Sequence, residues 1–131
     1  MPAYSEKSKA KLATCHPMLR TVFGAVIQAF DNTILCGHRG QKEQDAAFDS
    51  GRSRVKFPNG KHNQVPSLAV DTAPYPIDWK NIKRFIYFGG FVMGVAFALG
   101  IKLRWGGDWD SDTKLDDQNF NDYPHFELKE D

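Results

Sequence analysis

Disulfide chemistry is nearly absent from this 131-residue chain. Its two cysteines, Cys15 and Cys36, cannot build a framework and are expected as free thiols. Net charge is nearly absent too. Seventeen Lys and Arg stand against 16 Asp and Glu, a formal +1, so no global field selects nucleic acid or an anionic membrane. A secretory signal is missing: Met1-Pro2-Ala3-Tyr4-Ser5-Glu6-Lys7 is polar and leads into no apolar run, which makes the cytoplasm the expected place of residence. There is no internal repeat and no low-complexity stretch. What remains is ordinary globular usage, 41% hydrophobic and 13% aromatic, which excludes disorder. One domain over residues 1–131 is expected, long enough to bury a core without staples.

The neutral total hides a split. Residues 1–105 carry 15 basic and 7 acidic side chains, and residues 106–131 carry 2 and 9. An acidic tail and a carboxylate-rich loop beside a cation site both fit that pattern. Residues 85–101 form a 17-residue run without a charge. At about 1.5 Å per residue the run is shorter than a hydrocarbon core of about 30 Å. Its flanks are basic on both sides, with Lys80, Lys83 and Arg84 before it and Lys102 and Arg104 after. Gly100 sits at a helix C-cap, and Ile101 to Trp105 alternates like a strand. A buried central helix is the expectation, with a membrane anchor at 85–101 the competing one.

Along the chain, Ser5 can cap a first helix, and Leu12, Leu19, Val22, Phe23, Val26, Ile27 and Phe30 recur at helical spacing. Pro17 marks a start, restart or kink inside that pattern. Strands are expected at 33–36, 67–71, 101–105 and 125–128, a short helix at 41–48, and a long helix at 79–99 capped by Asp78. Helices around short strands indicate an α+β fold, a small antiparallel sheet packed against helices.

Histidines are scarce, four in all. His62 precedes a strand that ends in Asp71, and His125 opens another strand three residues after Asp122. Two His and one carboxylate at neighbouring strand ends supply three N/O donors to a tetrahedral Zn²⁺ and leave a position for water. A free carboxylate beside them can act as general base. The spacing alone is not a specific motif, and loop Asp and His residues are common turn formers.

Three blocks carry a resemblance. The first is Gly37-His38-Arg39 with Gln44. The second is Lys61-His62, then Ala69-Val70-Asp71-Thr72-Ala73-Pro74 and Ile77-Asp78-Trp79. The third runs from Leu99 through Arg104-Trp105-Gly106-Gly107-Asp108-Trp109 to Asp122-Tyr123-Pro124-His125-Phe126-Glu127-Leu128. Their order and spacing resemble the zinc peptidases of the D-alanyl-D-alanine carboxypeptidase type, especially phage endolysins that cut the L-alanyl-D-glutamate bond of peptidoglycan. The resemblance implies one catalytic Zn²⁺ held at strand ends by His62, Asp71 and His125. It also implies Asp122 as general base and Arg39 as the partner of a substrate carbonyl or carboxylate. Gln44, Trp109 and Tyr123 are weaker substrate contacts. Implied further are a peptidoglycan stem peptide as substrate, a holin-type export partner, release from the host cytoplasm to the wall, and a monomer.

Two departures stand out. Eight residues, Asn63 to Val70, separate His62 from Asp71, more than the family's usual spacing. The catalytic carboxylate is Asp where carboxypeptidase relatives often have Glu, which favours the endolysin branch. A D,D-carboxypeptidase or dipeptidase on the same scaffold, and a zinc-site protein that only binds, are the neighbouring readings. Trp105 is expected in the core and Trp79 at the start of the long helix. Asp110, Asp112, Asp116 and Asp117 are expected to form a solvated acidic loop, since no Asp-x-Asp-x-Asp-Gly calcium loop is present.

Overall fold

The computed structural model describes residues 2–116 and 121–129. Eight elements carry the architecture: α1 Glu6–Leu12, α2 Pro17–Val26, β1 Asn32–Cys36, α3 Gln41–Asp49, β2 Ala69–Pro74, α4 Ile82–Ala98, β3 Leu103–Gly106 and β4 Asp122–Leu128. A single 3₁₀ turn, Lys61–Asn63, lies between α3 and β2. The four strands form one antiparallel sheet in the order β1-β2-β4-β3. The α+β expectation holds, and its small antiparallel sheet is present.

Local chemistry sets the ends of the elements. Ser5 caps α1, its Oγ accepting the Ser8 N–H at 3.1 Å. Pro17 is a restart rather than a kink. It opens α2, and His16 Nδ1 accepts the Met18 N–H at 3.1 Å as its cap. The long helix begins later than residue 79. Asn81 caps it, accepting the Arg84 N–H at 3.2 Å, while Asp78 instead closes the preceding turn on Lys80 N at 3.1 Å. Gly100 follows the helix with φ +73°, the left-handed conformation that only glycine adopts without strain.

The core lies between the sheet and the pair α2/α4. Leu19, Val22, Phe23 and Val26 line one face of α2, and Phe85, Phe88, Val92 and Ala96 one face of α4. Each large side chain so buried contributes about 1.5–3 kcal/mol. Phe126 of β4 sits at the centre, with Phe23 at 5.7 Å and Phe88 at 6.2 Å between ring centroids. Gly89 explains how closely α4 approaches the sheet: a Cβ there would clash with the Trp105 ring. Trp105 is core, as expected, and its indole N–H reaches the Tyr123 carbonyl at 2.8 Å.

Most of the apolar run therefore lies in α4, whose one buried stripe faces the core and which is not buried on all sides. Tyr87 and Phe97 of its far face are exposed, and the Gly90-x-x-x-Gly94 positions meet no neighbour. Among the described residues no helix is long and apolar enough to cross a membrane.

Two irregularities aim the strands. Between Ile34 and Cys36 the β1/β2 register shifts, so that Cys36 rather than Leu35 stands opposite Asp71. On β4, Phe126 pairs with Trp105 but the next partner, Gly106, pairs with Asp122. Tyr123, Pro124 and His125 are the extra residues of this bulge, and Pro124 is tolerated there because a bulge spares its missing N–H. The bulge is why Asp122 and His125, three apart, reach the same site despite the strand period of two.

Candidate active site and metal centre

Strand alternation divides β4 cleanly. Phe126 points into the core, so His125 and Glu127 point to the opposite face. On β2, Val70 is core and Asp71 turns the other way, directly across from His125. His62 comes from the 3₁₀ turn and completes the group.

His62 Nε2 and His125 Nδ1 both lie 3.2 Å from the same atom, Asp71 Oδ1. Their outer nitrogens are already spoken for. His62 Nδ1 lies 2.7 Å from the Gly37 carbonyl, and His125 Nε2 lies 2.8 Å from Glu127 Oε1. Taking the tautomers from these partners, each neutral ring uses its one N–H outward and turns a lone pair on Asp71. Three acceptors then converge, which only extra protons or a cation reconcile. Burial works against charging either histidine, yet the Asp71 carboxylate raises both above the usual imidazole range. Burial likewise opposes the Asp71 charge, but His62 and His125 hold its carboxyl below the usual carboxylate range. N, N and O donors converging in this way, with outer ring nitrogens fixed by a carbonyl and a carboxylate, match the donor set and outer support of zinc sites.

Arg39 and Asp122 flank this centre. Arg39 donates to Asp71 Oδ2 at 3.2 Å and to Gln44 Oε1 at 3.1 Å. It thereby fixes the second oxygen of Asp71 and leaves the first to the histidines. Donor oxygens of Asp71 and Asp122 and a ring nitrogen of His125 lie within 4.8 Å of one another. Burial, then the neighbouring charge of Asp71, pushes the Asp122 carboxyl up to about 6, against the pull of His125, His62 and Arg39.

A cleft of about 1240 Å³ opens over these groups. Trp109 stands in its wall, 5.4 Å from the His125 ring, with the Arg104 guanidinium 5.3 Å over its indole. Trp79 also borders the cleft, stacked on Phe85 at 5.4 Å near the start of α4. Gln44 is 1% exposed, and its amide is spent on protein partners: Arg39, Asn63, Ser53 and Val55. It lines the cleft beside Arg39, whose guanidinium it receives. Tyr123 packs on the core beside Trp105, with ring centroids 6.1 Å apart, and does not stand in the cleft wall.

The acidic stretch divides. Asp122 and Glu127 reach the cleft, whereas Asp110, Asp112 and Asp116 are exposed, and Asp108 folds back on the Thr113 N–H at 2.9 Å. Asp117 lies outside the described residues.

Sequence reasoning assigned no role to three residues of this site. Glu127 is 5% exposed and receives Arg104 at 2.8 Å and Lys61 at 3.3 Å besides His125. The signal was present, since a His and a Glu two apart on a strand share a face. Asn63 donates to the Arg39 carbonyl at 2.9 Å and accepts the Gly60 N–H at 2.8 Å, which shapes the turn that carries His62. Cys36 was read only as a free thiol, which it is, yet its Sγ lies within 4.8 Å of donor atoms of both His62 and Asp71.

Residues 2–129 match the family described as phage L-alanyl-D-glutamate peptidase. The chain belongs to that family. It is 30% identical over 120 residues to the L-alanyl-D-glutamate peptidase of Escherichia phage T5, covering 88% of this chain and 87% of that one. It is 31% identical over 117 residues to the peptidoglycan L-alanyl-D-glutamate endopeptidase CwlK of Bacillus subtilis, covering 79% of this chain and 64% of that longer protein. Among solved structures, the L-Ala D-Glu endopeptidase ChiX of Serratia marcescens shares the fold, with a TM-score of 0.75 at 22% identity over 97% of this chain and 90% of that one. Membership gives the three sequence blocks a common frame, and the geometry above gives each block its place in one cleft.

Proposed function

We propose that this member of the phage L-alanyl-D-glutamate peptidase family is a zinc-dependent peptidoglycan endopeptidase that hydrolyses the L-alanyl-D-glutamate bond of the stem peptide. The observation that carries the reading is the convergence of His62 Nε2 and His125 Nδ1 on one oxygen of Asp71, with both outer nitrogens tied. His62, Asp71 and His125 would hold the ion. When bound, Zn²⁺ supplies Lewis acidity and lowers the pKa of a water ligand to about 7.

The remaining work falls to the chain's own groups. Asp122, raised by burial and by Asp71, is a base matched to near-neutral pH. It takes the proton of the attacking water and returns it to the leaving amine of D-glutamate. Arg39, set by Gln44 and Asp71, presents a fixed cation beside the carbonyl oxygen on which charge develops. Glu127 holds the His125 ring, and Trp109 gives the peptide a flat apolar wall. The family reading brings with it the role of a phage lysin that acts on the wall after a holin-type partner releases it from the host cytoplasm. It functions as a monomer, and residues 1–131 act as one catalytic domain.

The test is digestion of purified peptidoglycan, read by mass spectrometry, with metal analysis of the same sample. The expected product is a stem peptide that begins at D-glutamate. A strong chelator abolishes its release, and added Zn²⁺ restores it. Free D-alanine as the product would move the assignment to a D,D-carboxypeptidase, and activity indifferent to chelation would reject the zinc mechanism.

A further inference from the structure

The metal donors in this fold form a row across the sheet. Asp71 of β2 stands opposite His125 of β4 on one side and opposite Cys36 of β1 on the other. Directly opposed residues on neighbouring strands project to the same face, so the row Cys36–Asp71–His125 crosses three adjacent strands on the face where His62 sits. The placement depends on the register shift in β1. Continued from Ile34 opposite Thr72, a regular ladder would bring Leu35 to Asp71 and turn Cys36 away. The Cys36 side chain is partly exposed and lines the cleft. Its Sγ, a ring nitrogen of His62 and an oxygen of Asp71 lie within 4.8 Å of one another, the same closeness that joins Asp71, Asp122 and His125. Its sulfur contacts the Gly37 carbonyl at 3.5 Å, which also accepts His62, and it interacts with the His62 side chain itself.

We infer that Cys36 is a fourth protein donor of the resting metal centre, giving a Cys, His, Asp, His set that substrate or water must open. The inference rests on the zinc reading above. A thiol at that distance gives up its proton to the solvent on binding a cation such as Zn²⁺, for which thiolate is among the strongest ligands. Three N/O donors leave one tetrahedral position vacant, and the sulfur is the next donor along the row. A labile sulfur there would keep the centre quiet until a peptide enters the cleft, and would tilt its preference toward thiophilic metals.

The experiment is titration of the metal-free full chain with Co²⁺, read by absorption. One equivalent is expected to bind, with tetrahedral ligand-field bands in the visible and a sulfur-to-cobalt charge-transfer band in the near ultraviolet. Cys36→Ser and Cys36→Ala should bind one equivalent without the ultraviolet band, and their Zn²⁺ affinity, by competition with a chromophoric chelator, should fall at least about tenfold. Cys15→Ser should keep the band, because Cys15 is buried in the core with its Sγ 3.9 Å from the Lys11 and Ala69 carbonyls. One bound Co²⁺ without the band in the unsubstituted chain overturns the role of Cys36 and leaves the zinc reading intact. No Co²⁺ or Zn²⁺ bound at all overturns both.

Discussion

Glu127→Gln tests the hidden support of the site. The carboxylate accepts His125 Nε2 at 2.8 Å through one oxygen and meets Arg104 at 2.8 Å and Lys61 at 3.3 Å through the other. Burial alone would raise its pKa, but the His125 hydrogen bond and the three cationic neighbours hold it down to about 2 from 4.5. A shift of that size is worth about 3 kcal/mol of folding stability at neutral pH. The sign follows from the direction. The folded value lies below the unfolded one, so the stabilisation is complete above about pH 5 and is lost as pH falls through the folded value. Gln keeps the shape but sets an amide N–H₂ against Arg104 or Lys61, so the cost at pH 7 should reach about 3 kcal/mol, a drop in Tm on the order of 10 °C. At pH 3 the gap between parent and variant should shrink to roughly half, because the unfolded carboxyl is by then protonated while the folded one still holds its charge. Thermal unfolding of the metal-free pair at pH 7, 5, 4 and 3 measures this. An equal gap at every pH, or none at pH 7, would refute the electrostatic account. Replacing the charged His125 anchor by a neutral amide oxygen should also weaken Zn²⁺ binding, by up to about 10-fold.

Further outcomes separate chemistry from packing. Asp122→Ala should keep the metal and lose about 10²–10⁴ in hydrolysis, whereas His125→Ala should lose both; metal content and turnover on the same samples decide. An active Asp122→Ala variant would remove Asp122 from the base role. Gly89→Ala should destabilise by about 1–3 kcal/mol because its methyl meets the buried Trp105 ring. Gly90→Ala, one residue along the same helix with no neighbour within 4 Å, should instead stabilise by up to about 1 kcal/mol. Denaturant titration of both would contradict the packing account if the two moved together.

Much of the fold was readable from local signals. Periodicity located α2 and the apolar run located α4, Ser5 marked the start of α1 and Gly100 the end of α4, and the Pro17 break was visible although its outcome was not. Boundaries slipped where two caps competed: Asp78 and Asn81 both precede α4, and only the packed helix selects the second. The buried stripe of α4 was visible as an apolar run, but its exposed Tyr87 and Phe97 were not, because composition does not say which face meets the sheet. Within the site, His62, Asp71, His125, Asp122 and Arg39 came from residue type and family pattern, and the structure brings them into one cleft. Gln44 and Tyr123 carried the same pattern signal but turn to Arg39 and Trp105.

By itself the sequence determined the secondary structure that local caps and periods dictate, the α+β class, and the few side chains able to bind a cation and move a proton. Their mutual geometry was decided by tertiary structure. A strand period of two would place Asp122 and His125 on opposite faces, and an even ladder would turn Cys36 away from Asp71. Only the two register shifts bring these groups together, and a shift belongs to a pair of strands, so neither strand's sequence contains it. The opposite charges of the two parts of the chain follow the same rule. Among the described residues, the carboxylates of the acidic segment that line the cleft are Asp122 and Glu127, because β4 lies between β2 and β3 and carries them there.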